Sequence, residues 1–188
     1  TQDYPNIELI IIDGGSTDQT VEIIKKYSHR IHYWVSEPDS GQAEAINKGF
    51  QKATGDILAY LSSDDMYLSC TFAKAAKAIG ETNIPKLIYG GCVQFREIKQ
   101  GKQGFLHDDV WGYYIPLDFN RDLLTYACYI VQQATFWTRP LWEQTGKFRE
   151  DLPLVLDWEW FIRASKHCAF EPVREYLALF RFHDTHLT

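Results

Sequence analysis

The sequence lacks what marks several large protein classes. Its four cysteines, Cys70, Cys92, Cys128 and Cys168, form no Cys-x-x-Cys pair. That argues against a zinc site or a disulfide framework and fits reduced thiols in a cytosolic protein. Positive charge is not in excess: the 188 residues carry a formal net charge of −6, the wrong sign for a main partner that is a nucleic-acid backbone. No apolar run reaches the ~18 residues of a membrane span, and no signal peptide is visible. A Gly-rich loop bearing Lys or Arg for a triphosphate is missing as well. No repeat, low-complexity tract or interdomain linker interrupts the chain, whose length suits one domain with a substantial core. It also has no initiator methionine. Thr1-Gln2-Asp3-Tyr4-Pro5-Asn6 reads as the tail of a preceding connection, so a fragment that begins inside a larger domain is expected.

What is present is apolar and aromatic. Aromatic residues make up 15% of the chain, which supplies core and also platforms for sugars and bases. Ile7 to Asp13 is a nearly continuous β-branched run, the pattern of a parallel strand buried on both faces. Gly14-Gly15-Ser16-Thr17-Asp18 breaks it, and Ser16 or Thr17 can cap a helix through Lys26. The spacing then predicts a strand over 31–35, a loop at 37–41, a helix over 42–53 with Gly55 beyond it, and a strand over 57–61. A helix over 70–79 and a strand over 86–89 follow. Strand–helix alternation of this kind implies parallel strands with right-handed crossovers. From Cys92 on the style changes. The segments 92–98 and 105–106 flank a Gly-bearing loop and read as a β-hairpin. An aromatic-rich loop over 107–120 comes next, then a strand over 130–137, a short helix from Arg139-Pro140, a helix over 157–167 and a strand over 175–182.

One stretch organises the rest. The apolar run at 57–61 ends in Ser62-Ser63-Asp64-Asp65. A strand that delivers carboxylates to its end can hold a hard cation over an α/β sheet, where ligands collect. An Asp-rich turn that caps the next helix is the plainer alternative.

Four blocks carry a family resemblance across nearly the whole chain: Tyr4 to Asp18 with its Asp-Gly-Gly-Ser-Thr-Asp turn; Ser36-Glu37-Pro38-Asp39-Ser40-Gly41 with Ala45 to Gly49; Gly55-Asp56 running into Ser63-Asp64-Asp65; and Gln132-Gln133, Gly146-Lys147-Phe148 and Asp157-Trp158-Glu159. In this order they resemble a family 2 glycosyltransferase with the GT-A fold. The resemblance implies an α/β fold, a mostly parallel Rossmann-like central sheet flanked by helices with a small antiparallel hairpin. It also implies one domain over residues 1–188, N-terminally incomplete, because such proteins open with a further strand and helix.

The implied activity is inverting, metal-dependent sugar transfer from a nucleotide-diphosphate donor, a UDP-sugar, to a hydroxyl of a saccharide or lipid-linked acceptor. The setting it implies is polysaccharide or glycoconjugate synthesis in the cytoplasm or at the inner membrane face. Asp13 would accept a hydrogen bond from the base, with an Asx-type turn as the plainer reading. Asp39 and Gly41 would lie near base and ribose, or merely cap the helix at Gln42. Asp64 and Asp65 would serve Mn²⁺ or Mg²⁺ and ribose, in an order the residues leave open. Ser62 stands where the commonest motif has a further Asp. Asp157 would be the general base, with Glu159 behind it, or else an N-cap. His183 would be an added metal ligand or a surface residue. Lys48 would touch phosphate or stay solvated. A nucleotidyltransferase and a non-catalytic nucleotide-sugar-binding module are the alternatives.

Overall fold

The computed structural model describes Gln2 and residues 4–96 and 110–182. Strands β1 (Ile10–Asp13) and β2 (Tyr33–Ser36) enclose helix α1 (Thr20–Tyr27) and pair in parallel as a two-stranded sheet. Helix α2 (Gln42–Lys52) leads to β3 (Ile57–Leu58), β4 (Met66–Tyr67), α3 (Thr71–Ile79) and β5 (Leu87–Arg96). Then come β6 (Val110–Tyr114), α4 (Arg121–Tyr126), a 3-10 turn over Gln132–Ala134, β7 (Thr135–Thr138), α5 (Arg139–Thr145), α6 (Leu156–Ala164) and β8 (Glu171–Phe182). Among the described residues no helix is long and apolar enough to cross a membrane.

The larger sheet runs β3-β7-β5-β8-β4, with β6 beside β5. Strand direction departs from the mostly parallel expectation. Among the described residues only β1–β2 and β5–β8 are parallel; β3–β7, β5–β7, β5–β6 and β4–β8 are antiparallel. Among the described residues β6 and β7 both lie antiparallel along one edge of β5, with α4 between them in the chain. The expected strands at 86–89 and 92–98 are one long strand, β5. Among the described residues β5 pairs antiparallel with β6; the expected hairpin partner at 105–106 lies outside the described residues. Among the described residues the 57–61 run is paired only at Ile57 and Leu58, and 59–61 belong to no ladder. Helix α4 had no counterpart in the expected elements.

Alternation along the strands fills both faces of this sheet. Leu87, Tyr89 and Trp137 point into a core with Phe50, Phe148 and Trp160; Ile88, Cys92 and Phe136 point into another with Ala75, Ile79 and Leu177. Helix α2 buries Ala43, Asn47 and Phe50 at helical spacing, and α3 buries Thr71, Ala75 and Ile79. All four cysteines are free. Among the described residues β1 pairs only with β2, and β3 only with β7. Their other edges border a cleft of about 1750 Å³ whose walls include Ile7, Leu9, Ile11, Ile57, Ala59 and Phe72.

Asn47 is the polar exception in the core, 2% exposed. Its amide donates to the Phe148 carbonyl and accepts from the Phe148 N–H, both at 3.0 Å, which ties α2 to the segment before α6. Replacing it by Ala orphans both buried backbone groups. Asn47→Ala should cost about 2–3 kcal/mol, read as a lower urea midpoint with an unchanged m-value.

Candidate active site

After β3 the chain crosses the cleft and turns, with the Asp65 N–H donating to the Ser62 carbonyl at 3.2 Å. Asp65 is 7% exposed. Gln133 Nε2 and the backbone N–H of Arg181 each donate to its carboxylate at 3.0 Å. The neighbouring Gln132 donates to the Tyr60 carbonyl at 2.7 Å. One 3-10 turn thus grips both ends of the 60–65 segment. Both glutamines belong to the blocks that carry the family resemblance, and two adjacent glutamines ahead of an apolar strand were the signal available in the sequence. Asp64 is half-buried and lines the cleft beside Asp65.

Asp157 lies in the first turn of α6 and borders the same cleft. Its Oδ1 accepts the Trp158 N–H at 2.8 Å. Burial pushes its carboxyl above the ordinary aspartate value, against the opposing pull of that N–H. Nearby, burial pushes the Cys128 thiol up to about 11, and the Asp157 charge adds to the effect. Glu159, the reserve base of the sequence reading, is engaged: Arg163 grips it at 2.7 and 2.9 Å. Arg163 also donates to the Thr145 and Lys147 carbonyls, which anchors α6 on the Gly146 loop. Trp158 Nε1 donates to the Leu124 carbonyl and Trp160 Nε1 to that of Gly146, so both indoles are tied into the scaffold.

The third group stands at the ends of β1 and β2. Asp13 is 7% exposed and accepts from Ser16 Oγ at 2.5 Å, Ser36 Oγ at 2.6 Å and the Ser16 N–H at 3.0 Å. These donors hold its carboxyl below the usual aspartate range, the Ser16 hydroxyl first. Asp39 accepts the Gly41 N–H at 3.0 Å, and Gly41 has φ 139°, in the region that favours glycine. Asp18 accepts the Thr20 N–H at 2.9 Å, at the start of α1. Lys48 sits between Glu37 at 2.9 Å and Glu44 at 2.8 Å, on a solvated face.

The structure therefore brings Asp64, Asp65 and Asp157 to one cleft. Asp13, Asp39 and Gly41 form an adjoining cluster, linked through Gln42, whose Nε2 donates to Ser62 Oγ at 3.3 Å. His183 lies outside the described residues. Among the described residues no group of three or more His, Cys, Asp or Glu converges as a metal site.

Loops carry acids from several strand ends to one cleft, over a two-faced α/β sheet. Solved GT-A glycosyltransferases share this fold at low identity. Staphylococcus aureus TarS 1–349 in complex with UDP matches 96% of this chain and 53% of its own, with TM-score 0.69 and 17% identity. The mannosyltransferase PcManGT of Pyrobaculum calidifontis, in complex with GDP-Man and Mn²⁺, matches 98% and 51%, with TM-score 0.66 and 17% identity. Glycosyl transferase family 2 matches residues 1–145, and the chain belongs to that family. A PGL/p-HBAD biosynthesis glycosyltransferase of Mycobacterium bovis is 30% identical over 172 residues, 87% of this chain and 60% of the relative. An uncharacterised glycosyltransferase of Mycobacterium tuberculosis is 31% identical over 182 residues, 95% and 64%. The chain thus spans about 60% of the length of these relatives.

The raised Asp157 carboxyl has a stability signature. The native state holds this proton more tightly than the unfolded chain, so folding loses stability as pH rises from the ordinary 3.8 through the raised value. Asp157→Asn removes the titration. The variant should melt with the parent below pH 3.8 and above it at neutral pH, as checked by thermal melts across that range.

Proposed function

We propose that this chain transfers a sugar from a nucleotide-diphosphate donor, a UDP-sugar, to a hydroxyl of a saccharide or lipid-linked acceptor, with inversion at the anomeric carbon. The observation that carries the reading is the placement of Asp157 on the cleft that also holds Asp64 and Asp65. A carboxylate half withdrawn from water, with its proton affinity raised, suits a general base near neutral pH. The acceptor oxygen forms the bond to the anomeric carbon as the bond from that carbon to the diphosphate oxygen breaks. Asp157 takes the hydroxyl proton, and the nucleoside diphosphate leaves with the bonding electrons. A single base suffices, unlike the paired acids of glycosidases.

The acidic pair fits a hard divalent cation, Mn²⁺ or Mg²⁺, because oxygen donors from one or two carboxylates are what such ions take alongside phosphate and water. When bound, the ion would neutralise charge developing on the leaving diphosphate. Asp64 is the carboxylate of the pair that lines the cleft half-buried, while Asp65 is buried with Gln133 and the Arg181 N–H on its oxygens. Asp64 is therefore assigned to the diphosphate–metal end, and Asp65 to holding that end in place and completing the ion's shell. His183 is retained as a further ligand in this proposal on the family resemblance. Asp39 and Gly41 line the nucleotide side. Work in glycoconjugate synthesis, in the cytoplasm or at the inner membrane face, belongs to the same proposal and rests on family membership. The nucleotidyltransferase alternative has less support, because the family that the chain matches is one of sugar transferases.

Isothermal titration with UDP, with and without Mn²⁺, tests the reading. Binding should strengthen with the ion, and Asp64→Ala should lose that gain. Asp157→Asn should bind UDP as the parent does and show no transfer in a screen of nucleotide sugars. Transfer that survives in Asp157→Asn would remove the base assignment, and absence of UDP binding in the parent would remove the donor assignment.

A further inference from the structure

In the donor half, the carboxylate expected to read the base is already occupied. Ser16 Oγ, the Ser16 N–H and Ser36 Oγ donate to Asp13, which is buried. A carboxylate has about four lone-pair positions, so three internal donors take up most of its accepting capacity. The donors come from two places. Ser16 belongs to the turn after β1, while Ser36 ends β2. The Glu37 N–H adds a backbone bond to the Asp13 carbonyl at 3.0 Å. Pro38 and Asp39 follow directly, and the two loops are packed without slack. A Cβ on Gly14 would meet Asp39 Oδ2 at 2.6 Å, and one on Gly15 would meet the Pro38 nitrogen at 3.4 Å. The Asp39 carboxylate therefore lies over the Gly14 backbone, in a place set by how the two loops are clamped.

We propose that Asp13 is a positioning residue: its carboxylate clamps the β1 turn to the end of β2 and so places Asp39, and the nucleotide is met by Asp39 and not by Asp13. This inference rests on the nucleotide-sugar reading of the cleft. A clamp and a base reader differ in selectivity. Uracil presents an imide N–H where cytosine presents a ring acceptor, so a carboxylate that reads the base separates UDP from CDP. A clamp affects both alike.

The test is isothermal titration of the complete chain with UDP, CDP and GDP in Mn²⁺. Asp13→Asn and Ser36→Ala should each weaken every nucleotide that binds by a similar factor, roughly tenfold for loss of hydrogen bonds to a charged group. The UDP-to-CDP ratio should stay that of the parent. Gly14→Ala, which displaces the Asp39 carboxylate, should act in the same direction, and Ser36→Thr, which keeps the hydroxyl, should restore parent affinity. A shift in the UDP-to-CDP ratio confined to Asp13→Asn overturns the proposal. So does a Ser36→Ala variant with unchanged affinity. Carbon-13 NMR titration of the Asp13 carboxyl is independent of any nucleotide. Its low pKa should rise in Ser36→Ala and not in Ser36→Thr, and no rise rejects the clamp. A parent chain that binds none of the three nucleotides removes the nucleotide reading itself, while the NMR titration still decides whether the clamp exists.

Discussion

A carboxylate taken out of water must be given donors, and that requirement at Asp65 gathers the site. Its donors come from far along the chain: the Gln133 amide from the turn before β7 and the Arg181 N–H from β8. Neither segment is near residue 65 in sequence. Satisfying one buried charge therefore joins the cleft-crossing segment, the central sheet and the last strand at a single point. Asp64 follows by chain connectivity. It inherits a defined place on the cleft wall because its neighbour is anchored from two sides.

The same logic recurs wherever a polar group is buried in this fold. Asn47 acts as a surrogate strand partner for Phe148. Arg163 gathers Glu159 and the Thr145 and Lys147 carbonyls. Asp13 gathers two serines. Each acts as a tie between a helix or strand and a loop that has no ladder of its own. Loops at the ends of strands are where binding and catalytic groups commonly sit, and here these ties hold such loops in place.

Much of this was legible in order of residues. The helices at α2, α3 and α5 appear within a residue or two because apolar spacing and the Pro at the start of α5 are local signals. The acidic pair and Asp157 were visible as acids at element boundaries. Strand direction was not legible, because hydrophobic alternation is the same for either sense. Nor was the fusion of two short runs into β5, since Gly90 and Gly91 read as a break. Both are strand residues whose missing side chains make room for Leu177 and Tyr176. The partners of Asp13 and Asp65 were equally hidden. Serine and glutamine are unremarkable letters until folding brings them within hydrogen-bond reach of a buried carboxylate.

Among the described residues β1 and β3 each have one unpaired edge, and this has a practical consequence. Neither strand carries a lysine or a proline, the residues that usually discourage another chain from adding to a sheet. Their side chains are largely isoleucine and leucine, and a main-chain edge accepts almost any extended partner. The repulsion provided by a net charge of −6 acts between whole molecules and is screened within about 10 Å at moderate salt. The resistance of this chain to self-association at high concentration is thus governed by what occupies one slot in its sheet more than by its surface charge.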